Sequence, residues 1–159
     1  MKKLILIIPL FLCLFMLNPS VAQESARGNI VKQPIWGPVG YDYVEYYYIP
    51  EFDAYYNVHQ QKFIYLENNK WVKRSSLSKK HRGYDMYRVT KFVINEPQPY
   101  LHHQKHKAIY GSESGHQKQV SIRDSRDSKY YVNRKHPEHS NWKNKNKKQN
   151  RQWNSRKEK

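Results

Sequence analysis

Between Trp36 and Ile94 the hydrophobic positions come in short extended runs rather than at helical spacing. In residues 41–49, Tyr41, Tyr43, Glu45, Tyr47 and Ile49 share one face of an extended segment, and Asp42, Val44, Tyr46 and Tyr48 share the other. Aromatic rings on both faces predict a strand that is covered on both sides, and Pro50 ends it. Tyr55–Val58 reads as a second strand, Lys62–Leu66 as a third and Trp71–Arg74 as a fourth. His59-Gln60-Gln61 forms a short hairpin loop, and Asn68-Asn69 a second turn, because Asn tolerates positive φ. Ser75 to Gly83 is polar and basic and reads as a loop, while Tyr84 and Tyr87 fit an extended segment or one helical turn equally well. The β-branched run Lys91–Ile94 is the fifth strand. The predicted fold class is mainly β: a small antiparallel meander of four to five strands with one short helix.

That helix is expected near residues 99–110. Glu96-Pro97-Gln98-Pro99 excludes a helix interior and a central strand. Pro99 suits a first helical position, Leu101, Lys105, Ala108 and Ile109 follow at helical spacing, and Gly111 sits where a C-cap belongs.

Both ends differ from this pattern. Met1-Lys2-Lys3, the apolar run Leu4 to Leu17, the break at Asn18-Pro19 and the small residues Ser20-Val21-Ala22 have the order of a secretory signal peptide. The apolar run is shorter than the ~20 residues that a spanning helix needs. The expected mature chain begins at Gln23 and is exported, to periplasm or medium. Cleavage removes Cys13, the single cysteine, and with it any disulfide or thiolate chemistry. Residues 23–35 read as a flexible leader and 36–111 as the β-rich domain. From Ser112 onward 14 Lys and Arg stand against 5 Asp and Glu, and after Val132 only Trp142 and Trp153 are large and apolar. Such a stretch buries too little surface to offset the entropy of ordering it, so residues 112–159 are expected to be a basic, largely disordered tail. Lys129-Tyr130-Tyr131-Val132 is its one candidate strand or docking segment.

Three constellations could carry function. The tyrosines build a cohesive sheet on one reading, through cross-strand aromatic pairs. On another they form an aromatic surface for sugars or peptides, with Tyr46, Tyr48, Tyr55 and Trp71 as the candidates. His102 and His106 lie one turn apart on the expected helix and could hold a divalent metal, with His116, or His136 and His139, as further ligands. No carboxylate or cysteine stands at a fixed spacing to complete that set. In the tail, Lys143, Lys145, Lys147, Lys148, Arg151, Arg156 and Lys157 make a dense cationic run interleaved with tryptophan, the footprint of polyanion binding. For an exported chain the matching partners are anionic lipid, lipopolysaccharide or acidic polysaccharide, and nucleic acid is a poor one.

No carboxylate pair at a demanding spacing, no nucleophile elbow and no phosphate-binding loop is present, and no cofactor is implied. The sequence thus points to a non-enzymatic envelope or secreted protein that binds anionic surfaces through its tail. The alternatives are a periplasmic metal-binding protein and a carbohydrate- or peptide-binding aromatic surface.

The run YYYIPEFDAYYNV…FIYLENNKWV…YDMYRVTKFVINEP, with RDSRDSKYYVN and HPEHSNW, resembles a group of small, tyrosine-rich, secreted bacterial proteins over about residues 35 to 142. The resemblance implies a signal peptide and a small β-rich unit. It carries no activity and no catalytic residue.

Overall fold

A computed structural model describes residues 28–113, 115 and 118–157. The expected signal peptide, its cleavage site, the start of the leader and His116 lie outside the described residues.

Five strands, β1 (Tyr46–Ile49), β2 (Ala54–Asn57), β3 (Lys62–Glu67), β4 (Lys70–Arg74) and β5 (Phe92–Ile94), form one antiparallel sheet of order β4-β3-β2-β1-β5. The first four make the expected meander, and β5 pairs with the far edge of β1. The turns follow the local chemistry. Pro50 opens a single 3-10 turn, and Asn68 and Asn69 take φ of 51° and 59°, the left-handed values a tight hairpin requires. The first strand starts at Tyr46 rather than Tyr41. Ahead of it the Asn29 side chain takes up the backbone of Val44, accepting from Val44 N at 2.9 Å and donating to Val44 O at 2.7 Å, while Asn95 Oδ1 accepts from Glu45 N at 2.8 Å. Side-chain amides replace ladder partners there.

The register puts Tyr47 beside Tyr56 and Val93 on one face, and Tyr48 beside Tyr55 and Phe92 on the other. On the first face Tyr47, Ile49, Ala54, Tyr56, Phe63 and Tyr65 pack under Trp36, Leu77, Met86 and Val89. On the second, Tyr48, Tyr55, Ile64 and Ile94 pack with Trp71, Phe92, Tyr100 and Tyr110. The expected helix covers this second face, as a 3-10 turn (Pro99–His102) running into α1 (His103–Tyr110).

The leader and the tail require correction. Asn29 and Gln33 are buried, and Gln33 bonds Asn29 Oδ1 and the Tyr47 hydroxyl, so residues 28–35 belong to the fold. From the other end, Ser121 bridges Pro38, Ile122 N donates to Gly37 O at 2.8 Å, and Arg123 N donates to Ile35 O at 2.9 Å. Tyr130 is buried and its hydroxyl accepts from Gly40 N at 2.7 Å. Asn133, 1% exposed, donates through Nδ2 to Ile30 O at 3.0 Å and Gln33 O at 2.7 Å. The expected loose tail is therefore docked as far as His136, and it continues as a helix, α2 (His139–Lys157). Composition misled because this segment docks mainly through hydrogen bonds to backbone, with Ile122 and Tyr130 as its buried apolar anchors. Among the described residues no helix is long and apolar enough to cross a membrane.

Candidate anion-binding interface

The docked segment fixes where α2 begins. A 3-10 turn at Ser128–Val132 starts on Asp127, whose side chain accepts from Lys129 N, and Lys129 Nζ reaches Asp42 at 2.8 Å. His136 lies 3.2 Å from Ser125 O through Nε2 and accepts from Glu138 N through Nδ1. His139 Nδ1 is 2.7 Å from Tyr131 O. From this anchor α2 runs 19 residues, about 28 Å at 1.5 Å per residue, and buries none of them.

All seven predicted cations, Lys143, Lys145, Lys147, Lys148, Arg151, Arg156 and Lys157, lie on α2 and are exposed. Successive residues turn about 100°, so Lys143, Lys147 and Arg151 stack along one face, with Lys148 beside them, and Lys145 and Arg156 point away. The helix carries no acidic residue. Like charges one turn apart repel by a few tenths of a kcal/mol per pair, and nothing within α2 neutralises them. Trp153 is 57% exposed, with Lys157 Nζ 5.0 Å from its ring centre.

The other two constellations do not assemble as the sequence suggested. Tyr48 and Tyr55 are fully buried beneath α1, and Tyr46 and Trp71 are half-buried, Trp71 against Tyr100 and His103. The proposed aromatic surface is thus the floor of a core, because a helix lies on it. His106 is buried, with Nδ1 2.7 Å from the Tyr55 hydroxyl. Its Nε2 is 2.9 Å from Glu96 Oε1, at ion-pair distance though off the line of a hydrogen bond. His102 is exposed, whereas both ring nitrogens of His106 already face Tyr55 and Glu96. His136 and His139 are committed to the docked segment, and among the described residues no group of three His, Cys, Asp or Glu is placed to hold a metal.

Spacing alone did not reveal the network around Asp53. Asp53 caps the 3-10 turn after β1 with a left-handed φ of 51°. Its Oδ1 accepts from Tyr48 at 2.9 Å and pairs with His103 Nε2 at 2.6 Å, and its Oδ2 pairs with Lys107 Nζ at 2.7 Å. Partial burial works to raise the Asp53 pKa, but the bonds from Lys107, His103 and Tyr48 outweigh it and hold the carboxyl below its ordinary value. Burial pushes His106 below its ordinary value, with Glu96 opposing. Burial drives the Tyr48 and Tyr55 phenols far upward, so both remain hydrogen-bond donors. The legible signal was His103 and Lys107 one turn apart, which puts both on the face that meets Asp53. Asp53 also borders a cleft of ≈ 300 Å³ with Phe52, Tyr65, Leu77 and His81, but its oxygens are occupied by three donors. The network pins α1 to the sheet.

Chemically, α2 offers charge without competition from its own acids, while the histidine network offers cohesion. No protein-family model, no curated protein and no solved structure matches this chain.

Proposed function

We propose that this protein is an exported, non-catalytic binder of anionic polymers, with α2 as its contact element. The observation that carries this is a 19-residue helix with seven cationic side chains, no acidic one and no buried one. Packing does not account for such a helix, and a polyanion relieves the repulsion along its Lys143, Lys147 and Arg151 row. An interfacial membrane helix needs a broad apolar face. Here Trp142 and Trp153 are the only large apolar residues, which favours an extended polymer over a bilayer. Export is supported by the signal-peptide order of residues 1–22.

The test is retention on immobilised heparin across a salt gradient, for the whole protein and for a variant with Lys143, Lys147 and Arg151 all changed to Gln. Because counterion release makes such binding steeply salt-dependent, the variant elutes at clearly lower salt. Elution at the same salt refutes the role given to α2.

A further inference from the structure

A pocket of ≈ 210 Å³ lies where both chain ends meet the sheet, below the ~300–1,000 Å³ of sites for drug-sized ligands. Three segments build it: residues 31–34, the β2–β3 hairpin through Tyr56 and Gln61, and residues 133–135. Its walls differ in character. Val31 and Pro34 give an apolar side, and Lys32, Arg134 and Lys135 supply cationic groups. No carboxylate lines it, although the surrounding domain carries several.

Two features mark it as more than a surface dip. Tyr56 is only 9% exposed, and its hydroxyl makes no hydrogen bond to a described residue. Its ring is held between Trp36 and Phe63, each with centroids 4.9 Å away, so the hydroxyl is fixed in place. Burial raises the Tyr56 pKa, which keeps the phenol a donor. Arg134 and Lys135 are exposed and form no side-chain hydrogen bond or ion pair with a described residue. Gln61 sits at a left-handed φ of 52° in the hairpin turn and adds an amide at the rim.

We propose that this pocket is a subsite for one acidic sugar unit of an anionic polysaccharide, its carboxylate held by Arg134 and Lys135, a hydroxyl met by the Tyr56 phenol and its C–H face lying on the exposed Val31. The proposal rests on the reading of α2 as a polyanion-binding element and names the polymer's chemistry. A bare phosphate would leave the apolar wall and the amide unused, whereas an acidic pyranose presents a carboxylate, hydroxyls and a C–H face together. The pocket's Asn133–Lys135 segment lies a few residues before α2 in the chain.

The experiment uses the whole protein with tetragalacturonate, followed by titration calorimetry and amide chemical shifts. Maltotetraose, inorganic phosphate and phosphatidylglycerol vesicles serve as parallel ligands. Tetragalacturonate is expected to bind where maltotetraose does not, with shifts at Val31 and Gln61. The paired change Arg134→Ala and Lys135→Ala weakens it at least about tenfold, and Tyr56→Phe, which preserves the ring, about threefold or more. Unchanged amide spectra elsewhere show that the variants fold. The Lys143, Lys147 and Arg151 to Gln variant lowers heparin retention but leaves tetragalacturonate affinity within about twofold, since its charges lie outside the pocket.

Tetragalacturonate affinity that ignores the pocket changes overturns the proposal, and so does displacement by equimolar phosphate or binding to vesicles alone. If heparin retention still depends on α2 in that case, the polyanion reading survives and only the subsite fails. Retention that ignores α2 removes the reading itself.

Discussion

Lys91, just before β5, is 3% exposed, and its side chain runs into the core face beside Trp36, with Nζ 6.0 Å from the indole centre. Burial drives its pKa from the ordinary 10.5 down to about 8, with Glu51 and Asp85 opposing. At 1.36 kcal/mol per pKa unit, keeping this ammonium charged inside the fold costs about 3 kcal/mol at pH 7. The cation–π contact, at the limit of useful distance, returns about 0.5–1 kcal/mol. Replacing the ammonium with an apolar group of similar length, Lys91→Met, should therefore stabilise the protein by about 2 kcal/mol at pH 7, a rise in Tm on the order of 5–10 °C. The backbone is undisturbed, because Lys91 N and O pair with the Gln119 side chain at 2.9 and 2.8 Å whatever the residue. The pH dependence follows from the direction of the shift. Between about 8 and 10.5 the unfolded chain holds a proton that the folded chain has released, so wild-type stability rises with pH across that window. The advantage of Lys91→Met should thus shrink toward zero by pH 10.5. Thermal denaturation of both proteins at pH 7 and pH 10.5 measures it. A variant less stable at pH 7, or a gain equal at both pH values, refutes the account of a buried, strained ammonium.

Three further perturbations address the histidine network, the docked ends and α2. Because His106 resists protonation in the fold, the unfolded chain binds the extra proton as pH falls below about 6.5, and Tm should drop between pH 7 and pH 5. His106→Gln should flatten that slope, and identical slopes would show that the burden lies elsewhere. Asn133→Ala leaves the carbonyls of Ile30 and Gln33 without their donor, for a cost of about 2–3 kcal/mol and faster proteolysis in residues 28–36 and 119–138. Truncation before Lys143, by contrast, should change stability by less than about 0.5 kcal/mol, since α2 buries nothing.

The sheet was legible because period two is a strong signal. Tyr47 and Tyr48 do point to opposite faces, the Asn68-Asn69 turn falls where positive φ is cheap, and the proline pair at 97 and 99 marks the start of the helix. Period two extends the first strand too far, because local pattern cannot show that Asn29, fifteen residues earlier, takes the hydrogen bonds of Val44. The cations of α2 were readable as charge but not as a helix, since Asn- and Lys-rich sequence gives little periodicity. The pocket was illegible. Its members come from three segments separated by up to about a hundred residues, and Arg134 and Lys135 were visible only within a charge tally.

The tyrosine-rich strands also explain why the ends had to fold. A sheet aromatic on a single face needs one cover and can leave its other side to water. Here Tyr47 and Tyr56 face one way while Tyr48 and Tyr55 face the other, so both sides demand burial. The helix α1 supplies one cover, and Asp53, His103 and Lys107 hold it down. The other side is closed by Trp36 with Leu77, Met86 and Val89, and Trp36 is positioned by neighbours that the tail grips, with Ile35 O accepting from Arg123 N and Gly37 O from Ile122 N. Without a disulfide among the described residues, that grip combines backbone hydrogen bonds and the Asn133 amide with the buried Ile122 and Tyr130. The residues that composition dismisses as a flexible leader and a loose tail are thus the ones that let a two-faced aromatic sheet exist as a core.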